Sequence, residues 1–196
     1  MTIQTWEISD RENWLRRRER NLNASEIGAL FDCNPYLTKF QLWHQKKGNV
    51  EASTPDSGVL RRGRILEQSV ADAVKEERPN WEITKATDYY WDDELRIGCT
   101  PDFHAWDKAG KQWVAMQTKT AAPHIFDEDW LGRPPKWIII QNAVECMLTD
   151  SASGAVACLV VDPWKLPLHI FEIPRREDVE KAIKVRAAAF WASIDI

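Results

Sequence analysis

The spacing of apolar residues predicts alternating helices and strands along the chain. Apolar stripes at helical spacing run through 58–77 and 136–148. The nearly continuous apolar run at 155–161 is typical of a strand that is buried on both faces. Further helices are predicted at 10–20, 23–31, 38–47 and 177–191, and further strands at 81–84, 88–91 and 168–173. The pattern therefore predicts a mixed α/β fold.

Two neighbouring strands, joined by an Asp-Lys-Ala-Gly turn, carry the most informative polar residues. The first strand, 98–103, presents Asp102 near its end, and the second strand, 113–119, carries Gln117 and Lys119. Side chains alternate between the two faces of a strand, so Gln117 and Lys119 point the same way. If the strands pair, a carboxylate, a carboxamide oxygen and an ammonium converge. Such an oxygen cluster suits a hard divalent cation such as Mg²⁺.

Loops are predicted at 49–57 and at 121–135 because both stretches are rich in polar residues, Pro or Gly. The second stretch contains Pro123, Gly132, Pro134 and Pro135. Since it follows the strand with Gln117, we expect it to lie over the site.

Composition narrows the class of protein. The chain has 196 residues, of which 44% are hydrophobic, so it is long enough to fold as one globular domain. No apolar run approaches the ~20 residues that span a membrane, and the N-terminus lacks the basic and apolar parts of a signal peptide. The four cysteines form no Cys-x-x-Cys pair, which is typical of reduced residues. We therefore expect a cytoplasmic protein.

The charge is unevenly distributed. The net charge of −4 does not suggest a nucleic-acid-binding protein, but basic residues cluster at 16–20, 46–47, 61–64 and 175–176. A local basic surface can bind phosphates while the total charge stays acidic. For 175–176 we favour a solvated helix face instead.

The sequence Pro101-Asp102, followed by Gln117-Thr118-Lys119 on the next strand, resembles the core of the PD-(D/E)xK nucleases, in the branch of phage lambda-type exonucleases and YqaJ-type viral recombinases. The family core has Pro-Asp and then Glu-x-Lys, so this chain has Gln in place of the usual Glu. Gln keeps a neutral oxygen that can bind a metal, but the lost charge should weaken ion affinity. Further family features occur in order over residues 14–162: Trp14 with Arg18, Ala24-Ser25-Glu26, Gly63-x-x-x-Glu67 and Gln141.

The resemblance implies a restriction-endonuclease-like fold, in which a central mixed sheet is flanked by helices. It implies a single nuclease domain over residues 1–196, with the core motifs at about 58–162. The N-terminal helices at 10–48 would contribute to the binding of DNA ends.

The implied function is that of a Mg²⁺-dependent 5′–3′ exonuclease that acts on double-stranded DNA ends in phage-type recombination by single-strand annealing. Mg²⁺, or Mn²⁺ as a substitute, would be bound by Asp102, the side-chain oxygen of Gln117, the carbonyl of Thr118 and Glu67, the last directly or through water. Lys119 would orient the nucleophilic water or act as a general base.

The same resemblance implies how the DNA end is held and which partners take part. Arg18 and Ser25 would grip the 5′-terminal phosphate, and Gln141 would face the site and the 5′ end. The protein would form a ring-shaped homotrimer around DNA and work with a single-strand annealing protein. It would act in a bacterial host as a phage or prophage protein.

Simpler interpretations stay open at several residues. Ser25 can be a capping hydroxyl, Gln141 a buried core amide, and Glu67 an exposed glutamate paired with Arg64 or Arg61. At the level of function, the Gln117 replacement is also compatible with a DNA-end-binding pseudonuclease. A restriction or repair endonuclease of the same fold, or a non-nuclease α/β domain with an accidental motif, are the remaining alternatives.

Overall fold

A computed structural model of the chain describes residues 2–50 and 58–195 and has the mixed α/β architecture predicted above. Most of the loop predicted at 49–57 lies outside these ranges. The strands are β1 (Ile3–Glu7), β2 (Leu22–Asn23), β3 (Trp81–Lys85), β4 (Asp88–Asp92), β5 (Ile97–Cys99), β6 (Phe103–Asp107), β7 (Gln112–Ala121), β8 (Ser153–Val160) and β9 (Leu168–Pro174). The helices are α1 (Arg11–Arg20), α2 (Ala24–Ile27), α3 (Lys39–Lys46), α4 (Gly58–Glu77), α5 (Pro123–Asp129), α6 (Lys136–Thr149) and α7 (Glu177–Ile194), and a short 3-10 helix, Gly28–Phe31, follows α2.

A five-stranded mixed sheet with the strand order β3-β6-β7-β8-β9 forms the centre of the fold. The pair β7–β8 is parallel, and the other neighbours are antiparallel. Pairing of β6 with β7 ends at Phe103 and Met116, whereas β7 continues along β8 as far as Ala121. The stretch of β7 after Met116 therefore has one edge that faces the residues before β6.

Helices cover both faces of this sheet, as the resemblance implied. Val70 and Val74 of α4 pack on the face that carries Met116. On the opposite face, Asn142 of α6 donates a hydrogen bond of 3.0 Å to the carbonyl oxygen of Ala115. Because side chains alternate along β7, Gln117 and Lys119 share the face of α6.

A close approach between α6 and β8 fixes the position of the helix. A Cβ atom added to Gly154 of β8 would overlap the side-chain oxygen of Asn142. Glycine is therefore required at this position for α6 to lie this near the sheet. The other side of α6 packs with α2 and α7 in a second core that includes Ile27, Val144 and Phe190.

The strand predicted at 98–103 was wrong as one continuous element. Ile97–Cys99 forms β5 in a second, four-stranded sheet with the order β1-β4-β5-β2, and β6 begins only at Phe103. Pro101 has no N–H to donate to a ladder, which favours a break here. Thr100–Asp102 therefore crosses from one sheet to the other and brings Asp102 to the start of β6.

The region 121–135 was also misjudged, since it contains helix α5. Pro123 occupies the first turn of α5, where the missing N–H costs nothing and the fixed φ suits a helix. The short strands β1 and β2 were not predicted. None of the helices in the described ranges combines the length and apolar composition needed to cross a bilayer.

Candidate active site

Asp102 lies at the crossing between the two sheets, beside β7. Its Oδ2 accepts hydrogen bonds from the backbone N–H of Thr118 at 2.8 Å and from the Thr118 hydroxyl at 3.0 Å. The N–H and C=O of a strand residue point to the same side of the strand. The carbonyl oxygen of Thr118 therefore also lies on the Asp102 side of β7.

Gln117 projects from the other face of β7 towards α6 and is buried. Its amide nitrogen donates a 2.6 Å hydrogen bond to Oε1 of Glu145. Gln141, one turn earlier on α6, donates to the same oxygen at 3.2 Å. The structure thus brings two predicted residues together through Glu145, which the sequence analysis did not identify.

Glu145 is fully buried, and its electrostatic surroundings are unusual. The pKa of its carboxyl group is raised to about 8, mainly by burial and also by the negative charge of Asp102, while Lys119 and the hydrogen bond from Gln141 act in the opposite direction. A signal for this residue was present in the sequence. Glu145 is four positions after Gln141 and so lies on the same face of the helix.

Two oxygen atoms in this cluster are buried and have no hydrogen-bond partner among the described residues: Oε1 of Gln117 and Oε2 of Glu145. Unpaired buried oxygens are costly, and hard divalent cations bind oxygen ligands. These atoms therefore fit a cation such as Mg²⁺. Within 2–50 and 58–195, however, no group of three or more His, Cys, Asp or Glu residues is arranged to hold a metal. The donor set is accordingly a mixture of carboxylate, amide and carbonyl oxygens.

Lys119 lies two residues after Gln117 on the same face of β7. Its ammonium nitrogen is 5.9 Å from the ring centroid of Trp137, at the start of α6. The positive charge of Lys119 lowers the pKa of the buried Glu145 carboxyl group, so the two groups interact electrostatically. The cluster therefore carries a flexible cation beside its acidic groups.

Glu67 lies on α4, which covers the opposite face of the sheet from α6, and it forms an ion pair with Lys85. The sequence analysis considered Arg64 or Arg61 as the partner of Glu67, whereas the structure pairs it with Lys85 of β3. The ammonium of Lys85 lies 5.0 Å from the ring centroid of Phe103, so the pair borders the Asp102 end of the site from the α4 side.

Arg18 is connected to the site by Trp14, which contacts both Arg18 and Thr100. The guanidinium carbon lies 4.7 Å from the centroid of the Trp14 ring. The indole N–H of Trp14 donates a 3.0 Å hydrogen bond to the hydroxyl of Thr100, two residues before Asp102. Helix α1, which contains no buried residue, is therefore anchored to the crossing that carries Asp102.

Ser25 lies on α2, which packs against α6. A Cβ added to Gly28, directly after α2, would come within 3.0 Å of the Cβ of Trp137, which shows how closely the two segments approach. The predicted capping pair is present, since the backbone N–H of Asn23 donates to Glu26 at 2.9 Å. Ser25 and Gln141 thus belong to elements that meet beside the site.

Comparisons with known sequences agree with the resemblance noted above. A sequence model of the YqaJ-like viral recombinase domain matches residues 13–151. The chain is also 33% identical, over 61 residues, to the "Uncharacterized protein YqaJ" of Bacillus subtilis (strain 168). That stretch covers 31% of this chain and 19% of the B. subtilis protein.

Solved structures share the fold. An alkaline exonuclease (LHK-Exo) from Laribacter hongkongensis has a TM-score of 0.74 at 16% identity, covering 94% of this chain and 93% of its own. The complex of LHK-Exo with dAMP has a TM-score of 0.69 at 15% identity, with the same coverage. A phage related exonuclease from Haemophilus somnus 129PT has a TM-score of 0.63 at 15% identity, over 89% of this chain and 93% of its own.

Proposed function

Because the chain belongs to the YqaJ-like viral recombinase domain family, we propose that it is a deoxyribonuclease that degrades one strand of double-stranded DNA from a 5′ end in phage-type recombination. One observation carries the proposal: acidic, amide and ammonium groups converge where β6, β7 and α6 meet. Such a set can bind a cation and a phosphate together. The fold shared with an alkaline exonuclease supports the same reaction class.

Mg²⁺, with Mn²⁺ as a substitute, is the proposed cofactor. Asp102, the side-chain oxygen of Gln117 and the carbonyl of Thr118 would hold it. When bound, the ion would lower the pKa of a coordinated water and offset charge on the scissile phosphate. Glu67 would join the site only after leaving Lys85, or through a water molecule.

The proposed task of Lys119 is to hold the attacking water or a phosphate oxygen. Its long stem and position over Trp137 allow the ammonium to reach groups beside Gln117. A lysine ammonium is a compact, movable charge with three donors. It can therefore follow a phosphate as the strand advances.

Arg18, Ser25 and Gln141 are the proposed contacts to the 5′-terminal phosphate. The support is their placement on α1, α2 and α6, which all meet around the crossing at Thr100–Asp102. A guanidinium binds phosphate through charge-assisted hydrogen bonds, which are stronger than neutral ones. Arg18 is therefore expected to contribute most of the preference for a phosphorylated end.

We also propose the assembly and setting that the family resemblance implies. The whole chain, 1–196, would act as a single nuclease domain in a ring-shaped homotrimer around DNA, with a single-strand annealing protein as its partner. It would work in the cytoplasm of a bacterial host, encoded by a phage or prophage.

A pseudonuclease that binds DNA ends without cutting them is the second candidate. The observation that favours it is the neutral amide at Gln117, together with the lack of a three-residue metal-binding group in the part of the chain that the structure describes. Fewer charged ligands weaken the binding of a hard cation. Binding without digestion is the result that would favour this candidate.

Digestion of labelled linear duplex in Mg²⁺ tests the proposal. Duplexes with a 5′-phosphate or a 5′-hydroxyl are compared with a closed circular plasmid, and Asp102→Asn serves as the inactive control. We expect nucleotides to be released from phosphorylated 5′ ends, with the circle left intact. Cleavage of the circle would point to an endonuclease instead, and a lack of digestion in both Mg²⁺ and Mn²⁺ would rule out the enzyme.

A further inference from the structure

We propose that Glu145 on α6 is a metal ligand of this site, and that it supplies from the helix the carboxylate that β7 lacks at Gln117. The inference rests on the proposed function only in assuming that a divalent cation binds beside Asp102. It concerns a residue outside the Asp–Gln–x–Lys pattern that led to the site.

The first argument is the contact between the two side chains. Gln117 and Glu145 are joined by a 2.6 Å hydrogen bond, and each has 1% of its surface exposed. The second oxygen of each side chain, Oε1 of Gln117 and Oε2 of Glu145, has no partner in the described parts of the chain. Two unpaired oxygens therefore occur in one small buried volume.

The second argument is that Glu145 forms no direct ion pair within the described ranges, although Lys119 acts on it electrostatically. Glu180, the other buried glutamate of the described ranges, is paired with Arg175 at 2.6 Å. Within the described residues, Oε1 of Glu145 accepts from the amides of Gln117 and Gln141, whereas Oε2 has no hydrogen-bond partner. An ionised carboxylate at this depth is costly, so Oε2 needs either a proton or a divalent ion.

The third argument is the position of the carboxylate relative to Asp102. The two carboxyl groups are close enough for the charge on one to affect the other, and they contact consecutive residues of β7, since Glu145 bonds to Gln117 and Asp102 to Thr118. Together with Gln117 and the Thr118 carbonyl, the two carboxylates would offer a bound cation both charged and neutral oxygens. Hard cations accept such mixed oxygen sets.

The decisive experiment measures Mn²⁺ binding to the DNA-free protein by the loss of the free-ion EPR signal. Glu145→Gln keeps the size of the side chain and an acceptor for both amides, but removes the charge. We expect the Mn²⁺ affinity to fall at least ~10-fold, since even groups that only support a metal ligand commonly cost 10–100-fold. The matched control, Glu180→Gln, removes the other buried glutamate and should leave the affinity unchanged. An unchanged affinity in Glu145→Gln would overturn the proposal.

A reciprocal exchange tests whether residues 117 and 145 serve the same ion. The double variant Gln117→Glu/Glu145→Gln moves the carboxylate back to β7 and keeps the total charge. We expect it to recover most of the Mn²⁺ affinity that Glu145→Gln loses. If the double variant binds no better than Glu145→Gln, the two positions do not substitute for each other and the inference is wrong.

Thermal unfolding with and without Mn²⁺ covers the case in which a variant folds poorly. A ligand that binds only the native state raises its stability, so the wild-type protein should gain melting temperature in Mn²⁺ and Glu145→Gln should gain little. Equal gains in both proteins would count against the role of Glu145.

The nuclease proposal can fail independently of this inference. A protein that loses Mn²⁺ on Glu145→Gln but digests no DNA would keep the ligand assignment and lose the enzyme. If the wild-type protein digests DNA but Glu145→Gln binds Mn²⁺ normally, the enzyme assignment would stand and the ligand assignment would be lost. A wild-type protein that binds no Mn²⁺ would overturn the ligand assignment.

Discussion

Asp102 combines a structural role with a charge, and the two can be separated by substitution. Its Oδ2 accepts from both the N–H and the hydroxyl of Thr118. Asp102→Asn keeps an acceptor and removes the charge, whereas Asp102→Ala removes both. We expect both variants to lose DNA digestion, and only Asp102→Ala to lose stability as well, by about 1–2 kcal/mol. Digestion assays and denaturant unfolding measure the two effects, and full activity in Asp102→Asn would contradict the proposed metal site.

Glu145 should make the stability of the metal-free protein depend on pH. Burial raises its pKa from 4.5 to about 8, so between these values the native state holds a proton that the unfolded chain has released. The free energy of unfolding should therefore fall as the pH rises from about 5 to about 8. Below this window both states are protonated, and Glu145 contributes no dependence.

The comparison with Glu145→Gln isolates this effect. The variant has no group to ionise at residue 145, so its stability relative to wild type should rise steadily between pH 5 and pH 8. Denaturant unfolding in the presence of a chelator gives both curves. A constant difference across the window would show that Glu145 titrates alike in the native and unfolded states.

Gln117→Glu changes the site towards the family pattern, but in this chain the new carboxylate would contact Glu145. Two carboxylates at hydrogen-bond distance cannot both stay ionised unless a cation lies between them. Without a cation, one of them must hold a proton. We expect the variant to be less stable than wild type at pH 8 in chelator, and to need less Mg²⁺ for half-maximal digestion. A Mg²⁺ titration of activity checks the second effect, and an unchanged Mg²⁺ requirement would show that residue 117 does not contact the ion.

At the scale of elements, helix α6 was predicted well from the sequence, but only one of its two polar site residues was identified. Its apolar spacing predicted the helix, and the family pattern singled out Gln141. Glu145 was missed because its one sequence signal, the four-residue spacing from Gln141, is not part of the family pattern, and its contact with Gln117 appears only in the structure. The crossing at Thr100–Asp102 was missed for a similar reason. Local propensity does not reveal that β5 and β6 belong to different sheets.

The close approach of α6 to β8 is expected to control the site. Gly154→Ala would force Asn142 and the helix away from the sheet, since the new Cβ overlaps the Asn142 side chain. We expect a loss of ~1–3 kcal/mol of stability and a weaker affinity for Mn²⁺, because Glu145 moves with the helix. Gly63→Ala on α4 is the control, since its Cβ meets no described atom within 4 Å. Unchanged Mn²⁺ binding in Gly154→Ala would show that the helix position does not matter for the ion.

At the scale of the whole molecule, the distribution of charge matters more than its sum. The net charge is −4, so binding to DNA must depend on local basic groups. The basic pair at the start of α7 is neutralised within the protein, because Arg175 contacts Glu180 and Asp150, and Arg176 contacts Asp178. The two arginines precede α7 rather than forming a solvated face of the helix, and their charges are used in ion pairs within the protein. Arg18 instead has its guanidinium over Trp14, next to the crossing that carries Asp102.

This difference predicts how salt affects the binding of DNA ends. Each phosphate contact contributes about 0.9 to the slope of log affinity against log salt concentration. Arg18→Gln should therefore lower the slope by about 1 and weaken binding to a 5′-phosphorylated duplex more than to a 5′-hydroxyl duplex. Arg176→Gln should change neither quantity, because its partner is Asp178 rather than DNA. Fluorescence anisotropy in chelator, where the DNA is not digested, measures both duplexes across a salt series. Equal losses on the two ends would assign Arg18 to general backbone contact, and the preference for a 5′-phosphate would then have to come from other residues.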